Sequence, residues 1–312
     1  MFGGTPTHKK FPIGVAVTGC SVRLAQVTST AQGYRLSACA KCDLPKGLSP
    51  GTPEYTQALG EAIRTALREG SFTGKLAISA QPPELLHYKN IRLPKMPAGE
   101  LANAISWEAK ERIHIGEPAS VQFYNAGTVR QGEDERQEIV MLAAAESAIR
   151  AHAQAITQAG LTPETVDATA ASLARLIGGS DDQAALILHT SESGIEVVIA
   201  HGQDVVFDKF LPTPDGLSLD HAEEMASEIG LCLRYYTVTF RAGRPEAAYL
   251  SGESPEGLGE QLAEALGLSF QSFNDAAELS ADQGEDLGPW AVALGLSMGR
   301  QRPTDKKKRG AA

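Results

Sequence analysis

The chain has 312 residues, 42% of them hydrophobic and 21% charged, a globular composition long enough for two cores of ordinary domain size. Its formal net charge of -10 argues against general binding to a phosphate backbone, which needs clustered Lys and Arg to displace counterions, and nucleic acid is not expected as a partner. No stretch approaches about twenty uninterrupted apolar residues, and no apolar segment of signal-peptide length follows Lys9 and Lys10, so a cytoplasmic protein is expected.

Four cysteines are too few for a disulfide framework in a chain this long. Cys39 and Cys42 form one C-x-x-C, but a structural zinc site needs four ligands and no second ligand pair follows. They read as strand-end packing residues, and Cys20 and Cys232 as small apolar fillers.

From Phe11 the pattern gives a short apolar run (Ile13, Val15, Val17), a Gly/Ser turn at Gly19 to Ser21, and an alternating strand through Val22, Leu24 and Val27. A third strand around 34–42 completes a meander. Tyr55, Leu59, Ile63 and Leu67 then stand at helical spacing, and an apolar strand follows at 76–79. The same order recurs later. An apolar run at 184–188, a polar turn at 190–194, a strand at 195–200 and a strand at 205–211 make a second meander. A helix carrying Met225, Ile229, Cys232 and Tyr236 and a strand at 247–250, running into Ser251 and Gly252, follow it. A repeated meander, helix and strand is the order of an actin-like fold, two RNase H-like α/β lobes facing each other across a cleft.

Between the repeats lies extra material that begins at Gln81, Pro82 and Pro83. It carries a helix through Leu101, Ile105 and Ala109 and a charged stretch at 130–138 that reads as a hairpin tip. A strand at 138–144 and a helix at 147–159, ended by Gly160 and followed by Pro163, lead back to the first lobe. The expected division is 11–80 plus 139–180 for the first lobe, 81–138 for an inserted subdomain at its side, 181–299 for the second lobe, and 300–312 for a basic disordered tail. Pro289 fits the first turn of a last helix reaching Met298. Trp107 is expected in the core of the insertion, since Trp is usually well buried.

Several short segments, in order, resemble the PilM family of type IV pilus assembly proteins. Arg92-Leu93-Pro94-Lys95-Met96 precedes a helix with Trp107-Glu108-Ala109. Ala159-Gly160-Leu161-Thr162-Pro163, Val166-Asp167 and Leu173-Ala174-Arg175 follow. Glu228-Ile229 with Leu233-Arg234-Tyr235-Tyr236, and Ala291-Val292-Ala293-Leu294-Gly295-Leu296, complete the set. The resemblance implies an actin-like fold with the inserted subdomain of PilM and FtsA. It implies ATP between the lobes, and a groove beside the insertion that holds a short N-terminal cytoplasmic peptide of an inner-membrane partner, PilN. It also implies a place at the inner face of the cytoplasmic membrane, with self-association as a further possibility. The basic run Lys306, Lys307, Lys308 and Arg309 could add attraction to anionic lipid of about 1 kcal/mol per residue, though a solvated, disordered tail is the favoured reading of so short a run.

The same comparison shows an eroded nucleotide site. The first hairpin of the family, D-x-G-S-S-S-V-K, corresponds to Ala16-Val17-Thr18-Gly19-Cys20-Ser21-Val22-Arg23. The acid is replaced by Ala16, the glycine is displaced to Gly19, and Ser21 and Arg23 are kept. The second hairpin falls in Leu188-His189-Thr190-Ser191-Glu192-Ser193-Gly194 with no carboxylate at its acidic position. Glu192 in the turn would oppose a polyphosphate. The adenosine-side motif reads Ser251-Gly252-Glu253-Ser254-Pro255-Glu256-Gly257-Leu258, with two acids and a proline where close backbone approach is needed.

The candidate cleft residues are therefore Gly19, Ser21, Arg23, Thr190, Ser191, Ser193, Gly252 and Gly257. No catalytic residue and no metal ligand set is expected, and ATP or ADP is expected to bind weakly or not at all. An active ATPase would need an acid in the cleft, with Glu192 or Glu253 as the residues to inspect. An actin-like module of a type II secretion platform is an alternative of related fold. A sugar kinase of the same superfold is disfavoured by the want of a catalytic base.

Overall fold

The computed structural model describes residues 10–18, 20–30, 33–177, 183–213, 215–277, 279–280 and 286–299. The chain opens with three antiparallel strands, β1 (Lys10–Val17), β2 (Ser21–Thr30) and β3 (Gly33–Asp43), and a helix, α1 (Pro53–Glu69). Thr52 starts the helix by accepting the N–H of Tyr55 at 3.3 Å, and Pro53 at the first helical position leaves no donor unsatisfied. Tyr55, Leu59 and Ile63 form its buried face. Next comes β4 (Leu76–Ala80), followed by β5 (His87–Pro94), α2 (Ala98–Arg112), β6 (Ala119–Gln131), β7 (Asp134–Ala145), α3 (Glu146–Gln158), β8 (Thr162–Asp167) and α4 (Thr169–Ile177).

The second half repeats the plan with β9 (Ala184–Ser191), β10 (Gly194–His201), β11 (Asp204–Pro212), α5 (Ala222–Phe240) and β12 (Ala247–Gly252). It closes with α6 (Leu258–Leu266), β13 (Phe270–Gln271), α7 (Phe273–Ala276), β14 (Leu279–Ser280) and α8 (Ala291–Met298). The described strands form three sheets, in the orders β14-β3-β2-β1-β4-β8, β11-β10-β9-β12-β13 and β5-β7-β6. In both large sheets an antiparallel meander is extended by a strand parallel to its first, β4 beside β1 and β12 beside β9. That is the duplicated arrangement of an actin-like fold. None of the described helices is long and apolar enough to cross a membrane.

The structure departs from the sequence expectations at several points. The strand expected at 138–144 starts at Asp134 and pairs along its length with β5 and β6. Residues 139–145 therefore belong to the three-stranded sheet and not to the first lobe, because the long β6–β7 hairpin carries the pairing past the charged tip. That sheet also does not sit at the side of the first lobe alone. Ala126, Val140 and Leu142 share a core with Ile195, Phe207, Met225 and Tyr236 of the second lobe, because β6 and β7 present small and branched side chains to β11 and α5.

The second lobe does not run unbroken to 299. β14 joins β3 in the first sheet, and α8 packs on β1 and α4. Only glycine allows this approach, since a Cβ on Gly14 would lie 1.8 Å from the Ala293 carbonyl oxygen and one on Gly295 2.0 Å from that of Ser172.

Trp107 is 62% exposed. The buried face of α2 is Leu101, Ile105 and Ala109, spaced four apart, and a residue two positions past Ile105 points about 200° away from it. Cys39 and Cys42, three apart on β3, face opposite sides of the sheet and pack against different cores. Cys232 is buried as expected, whereas Cys20 is exposed, because it sits at the hairpin tip. No group of three or more metal-ligating side chains exists among the described residues.

Candidate functional site

The β1–β2 turn and the two-residue β9–β10 turn face each other across the cleft between the large sheets. Thr18 shapes the first turn. Its backbone N–H donates to the Ser21 carbonyl at 2.9 Å, and its Oγ1 accepts the Ser21 N–H at 3.0 Å. The hydroxyl of Tyr55 on α1 donates to the Thr18 carbonyl at 3.0 Å and anchors the turn from below. Ser21 and Arg23, one strand pitch apart on β2, thus point into the cleft on the same face.

Across from them, at the tip of the β9–β10 hairpin, stands Glu192. It accepts the hydroxyls of Thr18 at 3.2 Å and Ser21 at 3.3 Å, and Arg23 Nη2 at 3.3 Å. Glu253, just past β12, takes Arg23 Nη2 at 2.7 Å and Lys41 Nζ at 3.0 Å. Arg23 Nη1 donates to Ser21 Oγ at 2.9 Å, so the guanidinium spans Ser21 and both glutamates.

Burial raises the Glu192 carboxyl pKa, but its own backbone N–H, Arg23 and Lys41 outweigh that and hold it below the ordinary value. Glu253 follows the same balance, with burial opposed by hydrogen bonds and charge from Arg23 and Lys41. Both are carboxylates at neutral pH.

Under this network the cleft narrows to a void of about 30 Å³, lined by Ala16, Arg23, His189 and Glu196 among others. That is room for a water; small-molecule sites usually span several hundred Å³. His189 shares a 3.0 Å hydrogen bond with Ser251 Oγ. Burial, and then the charge of Arg23, push its pKa down to about 3, so it is neutral.

Of the residues singled out in the sequence, Ser21 and Arg23 join the cross-cleft network. Thr190, Ser191, Ser193 and Gly252 lie in the second lobe's turn region but are satisfied within that lobe. Thr190 Oγ1 donates to the Ser251 carbonyl at 2.8 Å, Ser191 Oγ lies 3.2 Å from Ser193 Oγ, and a Cβ on Gly252 would meet the Thr190 carbonyl oxygen at 1.9 Å. Gly257 has φ +86 and caps α6 without touching the network. Gly19 lies outside the described residues, as does the basic tail. Sequence reasoning missed Lys41. Its signal was register: Arg23 and Lys41 are direct partners on β2 and β3, and two cations opposite each other require anions nearby.

Two larger cavities flank the three-stranded sheet. One, of about 1000 Å³, lies between β6 and β8 and is lined by Phe123, Tyr124, Glu164, Asp167, Gln81 and Met298 among others. The other, of about 620 Å³, lies between β5 and β11. Among the described strands all four end their sheets, so each cavity runs between two edges that no described strand pairs.

Residues 14–209, more than half of the chain, match the family described as type IV pilus assembly protein PilM. A solved PilM-PilN type IV pilus biogenesis complex superposes with a TM-score of 0.75 at 22% identity, over 92% of this chain and 97% of that one. Ethanolamine utilization protein EutJ from Carboxydothermus hydrogenoformans gives 0.52 at 12% identity, over 93% and 92%. The cytoplasmic domain of EpsL, an inner membrane component of the Vibrio cholerae type II secretion system, gives 0.47 at 11%, over 93% of each chain, a score too low to bear on function. No curated protein matches the sequence.

Proposed function

The chain belongs to the PilM family of type IV pilus assembly proteins, and from that premise we propose that it is a nucleotide-independent scaffold. It works at the cytoplasmic face of the membrane and holds an extended peptide of a PilN-like membrane partner. The observation that carries this reading is the cavity of about 1000 Å³ between the open edges of β6 and β8. A peptide laid there gains main-chain hydrogen bonds from a sheet edge and side-chain contacts from Phe123, Tyr124 and Met298. Gln81, buried and with neither amide atom partnered among the described residues, lines the same cavity and supplies a donor and an acceptor for peptide backbone. In this reading the inserted unit runs to residue 145.

Loss of nucleotide fits the cleft. Two carboxylates already neutralise Arg23 and Lys41, the cations a polyphosphate would need, and the remaining void is of water size. A bound nucleotide would have to displace Glu192 and Glu253 and then endure their charge. The lobes are held together by the protein's own acids in place of phosphates, so partner binding does not wait on ATP.

Calorimetry tests both halves. A synthetic peptide of the partner's N-terminal cytoplasmic stretch is expected to bind saturably, and more weakly after Gln81→Ala, while Mg-ATP gives no measurable heat. Micromolar Mg-ATP affinity would overturn the nucleotide-independent reading, and peptide binding indifferent to substitutions in β6 and β8 would overturn the groove.

A further inference from the structure

The second groove, on the opposite edge of the three-stranded sheet, has a different chemical character. Its walls are the outer edges of β5 and β11, and its floor includes Leu231 and Tyr235 of α5. Leu231 is exposed although large and apolar. The ionisable side chains around it run against the chain's net charge of -10: Lys89, Lys209, Arg112, His87 and His114 line it.

Arg112 is engaged by Glu108 one helical turn away, and Lys209 meets Glu228 at 3.6 Å. Lys89 makes no ion pair among the described residues. The one acidic lining residue, Asp208, is almost fully buried; burial first, and then the neighbouring Glu196, push its carboxyl well above the ordinary value. At 1% exposure its carboxyl lies beneath the groove surface and presents no accessible anion there.

We propose that this groove docks an extended acidic segment of a partner protein, which adds a strand to the open edge of β5 and sets its carboxylates against Lys89, Lys209 and Arg112. The shape argues for an extended chain, because a gap between two unpaired edges fits one strand whose backbone pairs with either wall. The side-chain pattern argues for acids at alternate positions. His87 and Lys89 are exposed, two apart on β5, while Tyr88 between them turns inward and donates to Glu196 at 3.0 Å, so a cation and an imidazole share the face an incoming strand would meet. The apolar residues of that strand would cover Leu231 and Tyr235. The site runs along β5, the edge of the three-stranded sheet opposite β6.

The test uses the full chain and two peptides of about ten residues, the usual reach of an added strand, one alternating Glu with Val and the other Lys with Val. Binding is followed by fluorescence anisotropy at low and high salt, and amide hydrogen exchange locates it. The acidic peptide is expected to bind saturably, more weakly in high salt, and to slow exchange in β5. Lys89→Glu is expected to weaken it by about tenfold or more, and Leu231→Asp should act in the same direction. Both substitutions replace exposed side chains, so the fold is retained. Four results would overturn the proposal: no saturable binding of the acidic peptide, equal binding of the lysine peptide, affinity unchanged by Lys89→Glu, or protection at β8 in place of β5. Peptide-free dimerisation that Lys89→Glu abolishes would also overturn it, by assigning the groove to a second copy of the chain.

Discussion

Arg23 Nη2 and Glu253 Oε2 lie 2.7 Å apart across the cleft, a contact between two halves of the chain separated by more than two hundred residues. The arginine side chain is only 8% exposed, so removing its partners leaves a desolvated cation. Glu253→Gln is expected to lower stability by about 1–2 kcal/mol, less than a fully buried pair because the glutamate is partly solvated. A double-mutant cycle of Arg23→Ala and Glu253→Gln by urea denaturation should give a coupling of about 1 kcal/mol or more. Additive single effects would show that the contact contributes nothing.

Acid should weaken the fold through two histidines and through the two cleft carboxylates. His189, its pKa held down to about 3, costs stability over the same range as His152 and on below it. Burial holds His152 down to about 4, and its Nε2 has no partner among the described residues. Below the ordinary value of 6.5 the unfolded chain binds a proton there that the folded chain refuses, so stability falls as pH drops from about 6.5 toward 4. His152→Leu is expected to recover about 2 kcal/mol of that loss at pH 5. Glu192 and Glu253 behave differently. Their pKa values are lowered by folding, so their contribution is complete above the ordinary 4.5 and disappears only as pH falls through the lower folded values. Urea midpoints across pH 3 to 7, read as the difference between the parent protein and His152→Leu, isolate that histidine, and an unchanged slope between pH 7 and 5 in His152→Leu would rule out its part.

The two tryptophans should divide clearly in fluorescence. Trp107 is 62% exposed and Trp290 is partly buried against the inter-sheet core. Iodide is expected to quench one component strongly, and Trp107→Phe should remove that component while shifting stability by less than about 0.5 kcal/mol. A larger destabilisation would place Trp107 in a packed environment.

Gly295→Ala is expected to cost about 3 kcal/mol or more, because the new Cβ would lie 2.0 Å from the Ser172 carbonyl oxygen and two helix backbones would have to part. Gly230→Ala, where the added carbon meets nothing, is the control and should be neutral or slightly stabilising. Thermal denaturation of the two side by side checks this.

The repeated meander was legible because its strands alternate and its helices keep a four-residue apolar spacing; Ile13, Val15 and Val17, or Tyr55, Leu59 and Ile63, announce themselves locally. β8 was not, since Thr162–Asp167 is polar and contains a proline, and only its pairing with β4 makes it a strand. The extent of β7 was hidden by the charges at its start, which a long hairpin tolerates in solvent. In the cleft, Glu192 and Glu253 stood out as wrong for a phosphate site, but nothing near them in sequence named Arg23 and Lys41 as their partners. That information is tertiary. The face on which Trp107 stands was available from helical spacing, and average burial preferences pointed the other way.

Ser297 on α8 donates to the Pro12 carbonyl at 2.7 Å and accepts the Val27 N–H at 2.9 Å. One hydroxyl therefore ties together two strands at the front of the chain from a position 285 residues downstream. During synthesis, residues 10–30 leave the ribosome early, but these two backbone groups lack their Ser297 partner until α8 emerges. The first sheet of the molecule is thus the last to be finished. A nascent chain halted before residue 291 should remain open to protease and to chaperones along β1 and β2, however complete the second lobe has become.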